Sequence, residues 1–451
     1  MTITDPISRA LDTAHARFAG DDRGTLPTYI PELANVDPAQ FGIALASLEG
    51  RIYSAGDATT EFTIQSVSKP FVYALALADH GLEAVLARVG AEPSGEAFNA
   101  ISLEEGTGRP ANPMINAGAI LTTSLIEAAT PDERFARILK TLSDFAGRTL
   151  TLDQSVYRSE LETGDTNRAL GYLMRSAGSL QADVDETLDV YFRQCSVLVT
   201  ASDLAVMAAT LANGGRNPVT GAEVITGRIA SHVLTIMGTC GMYDSSGEWL
   251  LRVGLPAKSG VSGALIATKR AQFGFGLFSP LLDAHGNSVR AVETCVALAE
   301  QFDLHLLNDP GRPAPPVWLD TAGDDYTTNK NRPDLEARAL HASGGAIRML
   351  GLQGDIGFAD AEILLQSLAM PHKPVQAGRW LILDLERVGR IHPAAQAILE
   401  SLAVDLKEGG MTMVTVDPLE RSLLPGMREF RRLIEAVESC EDHLLRDPEF
   451  S

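Results

Sequence analysis

Apolar residues recur at i, i+3 and i+4 along residues 70–88 (PFVYALALADHGLEAVLAR) and 202–213 (SDLAVMAATLAN), the spacing of helices with one buried face. Between such stretches stand short apolar runs, 41–47 (FGIALAS) and 273–278 (FGFGLF), which predict strands. The alternation continues to about residue 308, so residues 1–308 read as one α/β domain. Two glycine-rich, polar stretches, 105–118 and 254–263, interrupt it. Loops of this kind often carry function.

The pattern then changes. Residues 309–335 (DPGRPAPPVWLDTAGDDYTTNKNRPDL) are rich in proline, glycine and charge and show no period. They predict a linker, partly ordered at most, which we extend over 309–343. From 344 to 451 order resumes. Strands are expected at 346–352, 380–385 and 411–416, with helices at 358–370, 393–408 and 424–440. Strands alternating with helices imply a second, smaller α/β domain.

Composition narrows the function. The 451 residues are 45% hydrophobic and 21% charged, which excludes wholesale disorder. Acidic residues outnumber basic ones 58 to 37, for a net charge of -21, so phosphate backbones and anionic membrane surfaces should repel the chain. The four cysteines, Cys195, Cys240, Cys295 and Cys440, are far apart and form no CxxC, as suits a reducing compartment. The N-terminal segment lacks a basic start followed by an apolar core, and no apolar run is long enough to span a bilayer. A cytoplasmic location without membrane or nucleic-acid partners is expected.

The chain has no GxGxxG, no GxxxxGK[ST], no HExxH and no GxSxG. A nucleotide cradle, a zinc site and an α/β-hydrolase elbow are therefore not expected, and no metal or cofactor is called for. What it has is Ser66-Val67-Ser68-Lys69. Spacing of i and i+3 brings a hydroxyl and an amine to one helix face. Pro70 belongs in a first helical turn, so the helix should begin near Ser66 and leave the Ser66 amide free to bind an oxyanion. A lysine made neutral by burial or a neighbouring cation can take the serine proton. Alone, SxxK reads more readily as a plain helix start with an exposed lysine. Lys258-Ser259-Gly260 shifts the balance, because a K-[ST]-G strand accompanies SxxK in serine β-lactamases and penicillin-binding proteins. The SDN element of that set is missing; Ser202-Asp203 is followed by Leu204 and reads better as a helix cap.

Further segments carry a closer likeness. They are Tyr29-Ile30-Pro31, Gln65 to Pro70, Asn112 to Ile120 (NPMINAGAI), Ser159-Glu160, Asn167, and Tyr191 with Gln194-Cys195-Ser196. Met242-Tyr243-Asp244, Gly254 to Val261 and Gly286-Asn287-Ser288 complete the set. In this order, over about 29–290, the chain closely resembles the serine-dependent glutaminases; only Ser262 and Ala264 stand where glycine is more usual. The resemblance implies a β-lactamase/transpeptidase-like catalytic domain, a sheet flanked by helices plus a helical subdomain, hydrolysing L-glutamine to glutamate and ammonia. It implies Ser66 as nucleophile, Lys69 as general base, Tyr243 as proton relay, and the amides of Ser66 and Val261 as oxyanion hole. It implies substrate binding by Tyr29, Asn116, Glu160, Asn167 and Tyr191, and a homo-oligomer. A carboxylate for the α-ammonium and neutral donors for the α-carboxylate suit a zwitterionic amide. Cys195 reads as a buried apolar residue rather than a catalyst.

Residues 346–440 resemble a STAS domain, through Gly354-Asp355-Ile356, Leu381 to Val388 and Gly409-Gly410-Met411. Where that fold's switch carries a phosphorylatable serine, this chain has Ile391-His392-Pro393-Ala394-Ala395, with no hydroxyl. A STAS-like α/β domain without phosphorylation at that turn is expected, serving as a partner-binding, ligand-binding or oligomerisation module. Two competing readings are a serine acyl-hydrolase of another amide, such as a β-lactam or D-amino-acid peptide, and a glutamine-sensing scaffold acting through the STAS-like domain.

Overall fold

The apolar runs do form strands, and in the first unit their close packing depends on residues too small to keep a helix away. We describe the protein from a computed structural model covering residues 5–95, 103–308, 315–326, 328, 330–369 and 379–446. The chain divides into two units, Met1–Asn308 and Asp309–Ser451.

In the first unit the strands are β1 (Gly42–Ser47), β2 (Ile52–Gly56), β3 (Phe62–Thr63), β4 (Thr151–Leu152), β5 (Val197–Val199), β6 (Ala257–Ser259), β7 (Ala264–Lys269) and β8 (Phe273–Phe278). Five of them make an antiparallel sheet in the order β2-β1-β8-β7-β6. Helices cover both faces. Ala44, Ala46, Ile266 and Phe278 pack with Leu204, Ala205 and Ala208 of the Ala201–Ala212 helix. Ile43, Leu45, Phe275 and Leu277 pack with Leu11 and Ala14 of the Pro6–Phe18 helix and with Ala291, Cys295 and Leu298 of the Val289–Phe302 helix. The FGFG alternation of β8 explains how closely one helix approaches. A Cβ on Gly276 would lie 2.1 Å from the Ala201 carbonyl oxygen, and one on Gly274 would lie 2.1 Å from the Ala209 nitrogen. Only glycine lets the Ala201–Ala212 backbone rest on that strand.

The remaining helices form the helical part of this unit, beside a small sheet of order β3-β5-β4. The helix expected over 70–88 is two. Lys69–His80 ends at Gly81, whose φ is +77°, and Leu82–Leu86 follows. The helix expected to begin near Ser66 starts as a 3₁₀ turn, Gln65–Ser68, and becomes α-helical at Lys69 with Pro70 in its first turn. All four cysteines are buried and unpaired, and no helix among the described residues is long and apolar enough to cross a membrane.

The second unit has β9 (Val317–Ala322), β10 (Ile347–Ile356), β11 (Trp380–Ile391), β12 (Thr412–Val416) and β13 (Arg428–Phe430), in the order β13-β12-β11-β10-β9. β10 to β13 are parallel and β9 is an antiparallel edge. Residues alternate between two cores: Leu381, Leu383 and Leu385 face the Phe358–Ala369 and Pro393–Glu408 helices, and Ile382 faces the Leu433–Leu444 helix. Two sequence expectations change. The linker read at 309–343 holds β9 and the Asp334–Ser343 helix, because the VWLDTA run pairs with β10 as its edge strand; its 309–314 portion lies outside the described residues. The helix expected at 424–440 is displaced. Gly426, at φ +85°, turns the chain into β13, and the helix runs Leu433–Leu444.

Candidate active site

The site is built on the turn after β3. The Ile64 amide bonds to the Val197 carbonyl, and Gln65 then takes a left-handed φ of +48°. Such a conformation costs a non-glycine residue roughly 1–3 kcal/mol and persists only where its surroundings hold it. A buried chain of hydrogen bonds does so. Ser68 Oγ donates to the Gln65 carbonyl (2.7 Å), Gln194 Nε2 donates to Ser68 Oγ (3.0 Å), and Thr123 Oγ1 donates to Gln194 Oε1 (2.9 Å). Ser66 follows, nearly buried, at the second residue of the 3₁₀ turn. The turn between β6 and β7 presses against it. A Cβ on Gly260 would come within 3.1 Å of Val67 Cγ2 and 3.3 Å of the Ile64 oxygen, so glycine there sets how near Val261 stands to Ser66.

Two lysines lie in the interior behind the serine. Lys69 is 1% exposed; its Nζ donates to Asn116 Oδ1 (2.7 Å) and to the Met114 carbonyl (3.3 Å). Burial disfavours its ammonium and lowers its pKa to about 8. Among the described residues its hydrogen bonds go to these two groups rather than to Ser66. Lys258 is fully buried, donates to the carbonyls of Gly241 and Ser259, and sits 4.0 Å over the Tyr243 ring. Burial, and then the charge of Lys69, hold its pKa well below the ordinary lysine value. Tyr243 is itself left-handed (φ +56°), with its carbonyl held by Ser246 Oγ (2.7 Å). Its hydroxyl donates to the Ser259 carbonyl (2.9 Å) and accepts a hydrogen bond from Ser66; burial raises the phenol's pKa.

Seven of the nine residues read from the sequence line one cavity of about 190 Å³: Tyr29, Ser66, Asn116, Glu160, Asn167, Tyr191 and Val261. The other two lie outside this lining: Tyr243 accepts a hydrogen bond from Ser66, and Lys69 follows Ser66 by three residues at the start of the Lys69–His80 helix. Asn116, first residue of the Asn116–Leu125 helix, donates through Nδ2 to Asn167 Oδ1 (3.0 Å) and accepts through Oδ1 from Tyr191 (3.4 Å) as well as from Lys69. Glu160, on the Gln154–Thr163 helix, is 4% exposed. Its Oε1 accepts from Tyr29 (3.0 Å) and from Gln65 Nε2 (3.1 Å), and burial raises its pKa. No cation is paired with it among the described residues. A buried carboxylate without a counter-ion, opposite a serine with amide and phenol donors between, can receive a cationic group at one end of a small molecule and present the other end to Ser66. Cys195 also lines the cavity, but burial pushes its thiol up to about 12, which makes it a poor nucleophile.

Sequence reading missed the part played by Gln65, whose side chain joins Tyr29 and Glu160; a positive φ leaves no mark in composition. It noted Lys258 only as a second lysine, since the contact with Tyr243 is made across the fold. Among the described residues no cluster of metal-ligating side chains is present.

A family model described as Glutaminase matches residues 24–307. The chain is 44% identical over 453 residues to Glutaminase 2 of Bradyrhizobium diazoefficiens, covering 98% of this chain and 72% of that protein. It is 50% identical over 303 residues to a glutaminase of Microcystis aeruginosa, covering 67% of this chain and 90% of the relative. Among solved structures, that of Mglu in its tris and glutamate form superposes with a TM-score of 0.81 at 36% identity, over 94% of this chain and all of that one.

Proposed function

The chain belongs to the glutaminase family and hydrolyses L-glutamine to L-glutamate, and we propose that it does so through an acyl-enzyme on Ser66 with Lys69 as general base. Ser66 Oγ attacks the side-chain amide carbon while its proton passes to neutral Lys69, directly or by way of Tyr243, to which the hydroxyl already donates. The C–N bond breaks as the nitrogen takes that proton from the same two groups and leaves as ammonia. Water then attacks the ester carbonyl, giving up a proton to Lys69 and Tyr243, which pass it to the Ser66 oxygen as the C–O bond to the acyl group breaks. The amides of Ser66 and Val261 are assigned to the oxyanion; removing one such donor typically costs about 10²–10³ in rate. Glu160 is assigned to the α-ammonium, and Tyr29, Asn116, Asn167 and Tyr191 to the rest of the amino acid. A site that pairs every polar group of its substrate discriminates strongly against analogues lacking one.

The observation that best supports this is the burial of Lys69, which lowers the pKa of an amine in the turn after Ser66 to about 8, so that a working fraction of it is neutral near physiological pH. The test is ammonia release from L-glutamine by the wild type and by Ser66→Ala. Activity should fall by about 10⁴-fold or more; equal activity would remove Ser66 from the mechanism. Nitrocefin turnover exceeding glutamine turnover would instead favour a β-lactam-directed acyl-hydrolase.

For the second unit we propose a STAS-like module. Its order of parallel strands and intervening helices supports the reading, and the Pro393–Glu408 helix starts at His392-Pro393 with no hydroxyl in the turn.

A further inference from the structure

Glu32 is a carboxylate that the mechanism leaves without a task. It lies in the single-turn helix Pro31–Ala34, just after Tyr29. Its Oε1 accepts a hydrogen bond from Ser159 Oγ at 2.7 Å, while its Oε2 is shut off from solvent and has no hydrogen-bond partner. Ser159 is the neighbour of Glu160 on the Gln154–Thr163 helix, and Tyr29 donates to Glu160 itself. Residues 29–32 thus grip that helix at two successive positions and carry a second negative charge to the side of the first. The titratable groups facing Glu160 are Tyr29 and Glu32 from this segment and Tyr191 and Cys195 from the Val184–Cys195 helix; none is a cation. Burial raises the Glu160 pKa most, the hydrogen bonds from Gln65 and Tyr29 lower it, and the Glu32 charge raises it again.

We propose that Glu32 is a specificity-determining residue for the cationic end of the substrate. Glu160 meets the α-ammonium by contact, and Glu32 strengthens its hold through the field of a second, unneutralised carboxylate. The inference rests on the assignment of Glu160 to the α-ammonium. It has two consequences of opposite sense. Glu32 tightens a ligand that brings a positive charge. In the empty site it makes Glu160 keep its proton to higher pH, because like charges oppose ionisation.

The test is Glu32→Gln, which keeps the shape and an oxygen for Ser159. KM for L-glutamine should rise about three- to tenfold with kcat within about twofold, the size of one charge–charge interaction in a partly wet pocket. The lower acid limb of kcat/KM, the steeper break below that of Lys69 where Glu160 takes up its proton, should move to lower pH. Inhibition by the monoamide of glutaric acid, glutamine without its ammonium, should be unweakened. Glu32→Asp, which keeps the charge while shortening the reach to Ser159, should hold the acid limb near the wild-type position. An unchanged KM and an unmoved acid limb in Glu32→Gln would overturn the proposal and leave Glu32 as a tie for Ser159. Glu160→Gln separates the two levels. If it too leaves KM unchanged, the assignment of Glu160 fails; if it raises KM while Glu32→Gln does not, only the role of Glu32 fails.

Discussion

Lys69 should write its own pKa into the kinetics. The base acts when neutral, so kcat/KM should climb as pH rises toward about 8 and level off above it, as a pH series at low glutamine would read. Lys69→Arg should lose about 10³-fold or more, because a guanidinium does not give up its proton in this range; a milder loss would point to another base. Gln65→Gly makes the opposite kind of test. Glycine accepts the φ of +48°, so the fold should hold, while loss of the hydrogen bond to Glu160 should raise KM. That Ser66 and Lys69 stand one helical turn apart was legible because it is local; that the Lys69 amine turns to Asn116 and Met114 was not, because those partners come from another segment. Glu160, Tyr29 and Asn167 were legible only through resemblance to a family; their types and spacing alone describe solvated or boundary positions. The strained φ of Gln65 and Tyr243 was not legible at all, since it comes from contacts with the Val184–Cys195 helix and the residues around Ser246.

Strand β8 and the β6–β7 turn each depend on a missing methyl group, with different outcomes. Gly276→Ala sets a Cβ 2.1 Å from a helix backbone oxygen that cannot swing aside, and should destabilise the protein by about 1–3 kcal/mol, read as a lower Tm with the chemistry of the survivors unchanged. Gly260→Ala meets Val67 and Ile64 at 3.1–3.3 Å, a clash relieved by a few tenths of an ångström. It should lower kcat about tenfold or more with little change in Tm, because the shift falls on Val261 and the oxyanion. Elements announced by their own residues were read well, β1 and β8 among them. The misreadings came from tertiary pairing. β9 is a strand because β10 offers it an edge, and β13 exists because β12 offers another. In the 70–88 stretch the periodic pattern ran on across Gly81, which a helix does not.

Net charge of -21 has little purchase on a substrate that is a zwitterion without net charge. Changing from low to physiological salt should alter kcat/KM by less than about twofold, in contrast to enzymes that steer ions; a steep salt dependence would mean that an ion takes part. Phosphopeptide mapping should find no phosphate within 391–396, and finding one would count against the STAS-like alignment. The division into two units was visible in the composition change after residue 308, whereas the ordered part of the next thirty residues was hidden by its prolines and charges. The interior lysines bear on the stability of the whole chain. Lys69 ionises at about 8 when folded and near 10.5 when unfolded, so the folded protein binds fewer protons between those values. The contribution of this residue is therefore least favourable below pH 8 and improves toward 10.5, its penalty at neutral pH being about 3 kcal/mol. A library of variants selected only for survival of heating, with no demand for turnover, should accordingly lose Lys69 and Lys258 to methionine or leucine early. A descendant of this lineage that had stopped working would be recognised by an apolar side chain in either place, and by its hardiness.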